Sequence, residues 1–183
     1  MTRTGLIRVP LTELRTNDEQ VIGSVYEVKN KTYRFVKNAG STDLVARASC
    51  MEMLTSNEDG MKTRVIAGDG MGTSTAFIGL PAGMPVAGIG KSGSGTGAFG
   101  WVQCKGPAKV SIHQMATAIA AGSFAIGTSV LPASQPFGKA YIRTADSAAT
   151  AKLYTRGVII MEAIATTGAA TAVSALVDIQ CLS

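Results

Sequence analysis

The clearest alternation of apolar and polar positions in the chain runs from Ser24 to Lys37. Residues 24–29 and 32–37 flank Asn30 and Lys31, and a two-residue loop there predicts a β-hairpin. That hairpin pairs Val28 with Tyr33 and Tyr26 with Phe35 on one face, and Glu27 with Arg34 and Val25 with Val36 on the other. A turn at residues 38–40 leads toward residues 44–54, whose pattern fits either strand or helix. From Trp101 the period is again two: Val102 and Cys104 share one face, and beyond Gly106-Pro107 so do Ala108, Val110 and Ile112. Residues 124–131 and 137–143 read as short strands bounded by glycine and proline. The chain ends in an apparent hairpin, with a nearly continuous apolar run over 157–165 and alternation of Val173, Ala175, Val177, Ile179 and Cys181.

Asp59-Gly60 and Asp69-Gly70 mark turns, and residues 88–100 are a glycine-serine loop. Residues 1–23 show neither clean alternation nor a sustained helical stripe. The capping-box spacing of Thr16 and Glu19 allows a short helix over residues 16–22, and residues 116–121 are too short to decide. No long 3.6-residue stripe occurs. The expected fold is therefore all-β, an antiparallel sandwich or barrel over residues 24–183, with residues 1–23 as an extended N-terminal arm.

Composition sharpens this picture. The 183 residues include 21 glycines, 46% are hydrophobic and 16% charged. With a mean hydropathy of +0.23, disorder is not expected. The N-terminus carries Arg3 and Arg8 without a following apolar run, so neither membrane insertion nor export is expected. Cys50, Cys104 and Cys181 are odd in number and lie among apolar neighbours, which reads as buried free thiols in a reducing compartment.

The net charge of +5 is unevenly placed. Residues 70–145 contain no Asp or Glu but hold Lys91, Lys105, Lys109, Lys139 and Arg143. One face of the fold is expected to carry positive potential. Clustered cations interleaved with aromatics would signal nucleic-acid binding; here the cations are spread and aromatics are 5% of the chain.

Catalytic and cofactor signatures fail on context. Residues 88–93 spell GIGKSG, matching the letters of a dinucleotide fingerprint, yet glycines continue to Gly100 and no carboxylate follows until Asp146. A phosphate loop would need glycine where Pro85 stands. His113 is the single histidine, and its strand position next to Lys109 and Ser111 favours a solvent-facing residue over a catalytic base. One histidine and three scattered cysteines provide no paired metal-ligand spacing. Glu58-Asp59 before Gly60 lacks the alternating oxygen ligands of a calcium loop. The expectation is a protein without enzymatic activity, cofactor or metal.

Partner contact is the remaining chemistry. Ile7, Val9 and Leu11 alternate with Arg8 and Pro10 over a stretch too short to form its own sheet. Such a stretch can add to a neighbour's sheet edge, apolar side chains entering pockets while Arg8 faces acid or solvent. Ile7, Arg8, Val9 and Leu11 are the candidate contacts, together with Trp101, which is either an interface anchor or, with more weight, a partly buried core aromatic.

The phrases GSVYEVKNKTYRFVKNAGSTDLVARASC, GWVQCKGPAKVSI, AAGSFAIGTSVLP and GVIIMEAIATT, in this order over residues 22–182, resemble small virion proteins of tailed bacteriophages, in particular head decoration, or cement, proteins. The resemblance implies a β-rich protein without catalysis, made in the host cytoplasm and carried on the capsid surface. It implies binding to the outside of the lattice at local symmetry axes, often as a homotrimer, securing joints between subunits of the major capsid protein. No membrane and no specific nucleic acid belong to that role. A basic nucleic-acid-binding module, or another phage structural component such as a tail or head fibre, is the alternative.

Overall fold

The computed structural model describes residues 9–17, 20–52, 64–67, 81–91, 93, 95, 97–114, 118, 121–122, 124–125, 157–165 and 171–181. Among them are nine strands and no helix, so the fold is all-β as the alternation predicts. The strands are β1 (Val25–Val28), β2 (Lys31–Asn38), β3 (Cys50–Glu52), β4 (Arg64–Ala67), β5 (Pro81–Pro85), β6 (Phe99–Gln114), β7 (Phe124–Ala125), β8 (Gly157–Ile160) and β9 (Thr171–Gln180). They form one sheet in the order β1-β2-β4-β3-β5-β6-β9-β8-β7.

An additional pairing of β2 with β6 closes β2, β4, β3, β5 and β6 into a ring. The closure is antiparallel except where β2 meets β4, a two-residue parallel match of Lys37 with Arg64 and Asn38 with Val65. Every ring strand sends a side chain into one cluster: Val36, Cys50, Val65, Ala82, Val102 and Cys104, joined by Leu44 and Ile89. That cluster is the ring's interior. β2 is buried along most of its length on both faces, because the ring lies on one side and a second cluster on the other.

The long strand β6 unites two halves of the fold. Its first part belongs to the ring, and from Lys105 to Gln114 it pairs residue by residue with β9. Ala108, Val110, Ile112, Ala175, Val177, Ile179, Val158 and Ile160 then form the core of the outer sheet. Gly106-Pro107 does not break the strand. The Cys181 N–H donates to the Cys104 carbonyl at 2.8 Å, and alternation from that bond leaves the proline nitrogen pointing away from β9, where no donor is required.

The first hairpin exists where expected, but its register is two residues off. Tyr26 pairs with Tyr33 and Val28 with Lys31, and the loop is Lys29-Asn30. Since a two-residue slip preserves the faces, Tyr26 and Tyr33 still lie on the apolar side. Glu27 faces Thr32 instead of Arg34. Arg34 turns into the ring, where its Nη1 lies 3.5 Å from Oε1 of Glu52, both side chains nearly inaccessible.

At the other end of β2, Asn38 is fully buried and its side chain acts as a clamp. The Nδ2 group donates to the carbonyls of Thr42, Ile89 and Gly90 at 2.9, 3.3 and 3.1 Å, and Oδ1 accepts from the Gly40 N–H at 2.9 Å. Leu44 and Ile89 exchange backbone bonds next to it. Residues 44–54 are thus divided between this bridge and β3, with residues 53–54 outside the described set, as are residues 59–60, 69–70 and 137–143. Described residues within 16–22 and 116–121 form no helix.

Candidate functional site

Val9 and Leu11, placed on a free arm by their alternation, meet Trp101 within the body of the protein. Val9 has no exposed surface, Leu11 is half-buried, and both pack with Tyr33, Phe35, Phe99 and Trp101. The Trp101 indole N–H, which must find an acceptor once buried, donates to the Val9 carbonyl at 3.0 Å. Phe35 stands edge-on to Trp101 with centroids 5.3 Å apart, and Tyr26 approaches Trp101 at 6.4 Å. From Val9 onward the segment is a strap. A turn from Pro10 to Glu13 redirects it, and Arg15 then exchanges two backbone bonds with Phe99, each 3.1 Å.

Val9 and Trp101 thus spend their apolar surface within the chain, Trp101 as the core aromatic its position favoured, while Leu11 stays half-buried. Alternation marks a row of side chains that needs a pocket, and it does not distinguish a neighbour's pocket from the chain's own. Ile7 and Arg8 lie outside the described residues, as does the side chain of His113, whose backbone pairs with Ala172.

The three thiols are free and buried, as their apolar settings predict. Burial pushes the Cys50 thiol well above its ordinary range, and the neighbouring Cys104, Cys181 and Glu52 push it the same way. The Cys50 Sγ donates to the Gly83 carbonyl at 3.4 Å. A protonated, enclosed thiol is a poor nucleophile and a poor metal ligand. Among the described residues no group of three His, Cys, Asp or Glu side chains is arranged to hold a metal ion.

The glycine-serine loop meets an anion from elsewhere in the chain. The Lys91 N–H, the kind of donor a phosphate would require, bonds Oδ1 of Asp43 at 2.7 Å. Gly90 N–H reaches the Gly97 carbonyl at 2.9 Å and ties the loop's ends together. A carboxylate already at the amide repels a phosphate there.

The second half of β6 shows one side to solvent. Lys105 and Lys109 are exposed on the face opposite the apolar core, and their cross-strand partners on β9 are Gln180 and Leu176. The acid-free window in the sequence singles out these two lysines; half-buried Asp178 lies on the same face between Gln180 and Leu176, and exposed Lys29 and half-buried Lys31 stand at the hairpin tip. No helix among the described residues is long and apolar enough to cross a membrane. Comparisons with protein-family models, curated proteins and solved structures find no match.

Proposed function

We propose that the protein is a structural virion component that binds the outside of a tailed-phage capsid, as a homotrimer, and secures contacts between major capsid subunits. The observation that carries this reading is where the cement-protein resemblance falls. Its phrases coincide with the β1–β2 hairpin and on to Cys50 at the start of β3, with β6, and with β8, the strands that build and join the two halves of the fold. An all-β body with Tyr33, Phe35, Phe99, Trp101 and the three thiols enclosed suits a part that acts by fitting and holding.

The test uses particles assembled from the genome that encodes this chain, prepared with and without it. Electron cryomicroscopy should find external density of about 19 kDa per copy at lattice symmetry axes when the chain is present, matching its 18.8 kDa mass. Particles carrying it should also withstand higher temperature before releasing DNA. Density in the tail or a head fibre, or identical capsid surfaces in the two preparations, would overturn the proposal.

A further inference from the structure

Two non-glycine residues among those described have φ in the left-handed region, Lys29 at 53° and Arg47 at 63°. Both are cations and both are exposed. Neither residue type enters that region without steric cost, and glycine or asparagine would fill either turn more comfortably.

Each is held by contacts to β6 or its neighbours. The Lys29-Asn30 loop presses on Gly106 so closely that a Cβ there would lie 2.1 Å from the Asn30 carbonyl oxygen and 3.2 Å from Lys31 Cα. Arg47 donates its N–H to the Pro85 carbonyl at 3.0 Å, and its own carbonyl accepts from the Ser111 N–H at 2.8 Å. The strained cations therefore bracket the stretch of β6 that displays Lys105 and Lys109. From Lys105 to Ser111 that stretch spans about 20 Å at the usual strand rise.

We infer that Lys29, Lys31, Lys105, Lys109 and Arg47 form a cationic strip that docks an acidic protein surface, with the backbone strain retained because it fixes charge in place. Three carboxylates lie nearby: exposed Glu27 on β1, half-buried Asp178 on β9, which accepts from Gln180 Nε2 at 3.3 Å, and exposed Glu162, whose Oε1 accepts from the Leu176 N–H at 2.7 Å. Five cations outweigh them. A protein partner fits better than nucleic acid because, among the described residues, Trp101, Phe35, Phe99 and Tyr33 are buried and offer the bases no stacking platform. Leu176 and Ile159, half-buried on the same face of the sheet, add the apolar component of a protein contact.

Binding is measured on the full chain with a poly-glutamate peptide and, separately, with single- and double-stranded oligonucleotides. No particles are involved, so this inference and the capsid reading can fail independently. The wild-type protein should bind poly-glutamate saturably at low salt, and Lys105→Glu with Lys109→Glu should weaken it by about tenfold or more. Lys29→Gly with Arg47→Gly should also weaken binding while leaving the melting temperature equal or higher, since the strain is relieved as the charge is lost. Unchanged affinity in the variants, no saturable peptide binding, or tighter binding to an oligonucleotide than to the peptide would overturn the inference.

Discussion

Removing the Glu52 carboxylate leaves the Arg34 guanidinium inside the ring facing a lost partner. Glu52→Ala should therefore cost about 3–5 kcal/mol in urea unfolding. Replacing both members, Arg34→Met with Glu52→Leu, should recover much of that loss, whereas exposed Glu27→Ala should stay within about 0.5 kcal/mol. Equal losses at Glu27 and Glu52 would mean that Arg34 looks outward. The Cys50 thiol makes a pH prediction with a definite sign. Its acidity is suppressed in the folded state, so above about pH 8.5 the unfolded chain gives up this proton while the folded chain keeps it. The unfolded state then binds fewer protons, and stability falls as pH rises through that window. Urea titrations at several pH values should show the decline, and Cys50→Ala should flatten it; an unaltered slope would assign the decline to other groups.

Gly106 and Gly93 separate two costs at the level of elements. Both have positive φ, 93° and 82°, but a Cβ at Gly93 meets nothing within 4 Å, whereas at Gly106 it collides with the hairpin loop. Gly93→Ala should cost about 1 kcal/mol, the conformational penalty alone, and Gly106→Ala roughly 3 kcal/mol or more because the β1–β2 loop must lift off β6. Thermal unfolding of the two variants decides it. The same collision explains what was legible in the sequence. Alternation located the hairpin, its apolar face and the two halves of β6. It left the register two residues off, because a slip of two changes no face, and because Lys29 at positive φ defies the turn preference that favours Asn30 as the first loop residue. In the sequence Gly106-Pro107 only divides two alternating stretches; its use here, close approach by one residue and a donor-free position at the next, depends on partners far along the chain. The cationic strip was half legible for the same reason. Lys105 and Lys109 stood out in the acid-free window, but Lys29 and Arg47 join them through tertiary contacts alone.

The whole molecule is held by long-range closures, and the strap is the most exposed to a simple test. Deleting residues 2–15 removes Val9, Leu11 and the Arg15–Phe99 bridge, and uncovers Trp101. The loss should be roughly 3–5 kcal/mol, lowering the melting temperature by about 10 °C. Because Trp101 is the single tryptophan, its emission should shift to the red in the truncated protein. A native melt with unshifted emission would return the strap to the status of an arm. The bond from Trp101 to Val9 joins residues 92 apart in sequence. Ribosomes adding about 5–20 residues per second need roughly 5–20 s to make the intervening chain. Through most of that interval Val9 and Leu11 have Tyr33 and Phe35 but neither Phe99 nor Trp101, so the segment made earlier must wait, apolar and half-covered, for the strand that completes its bed.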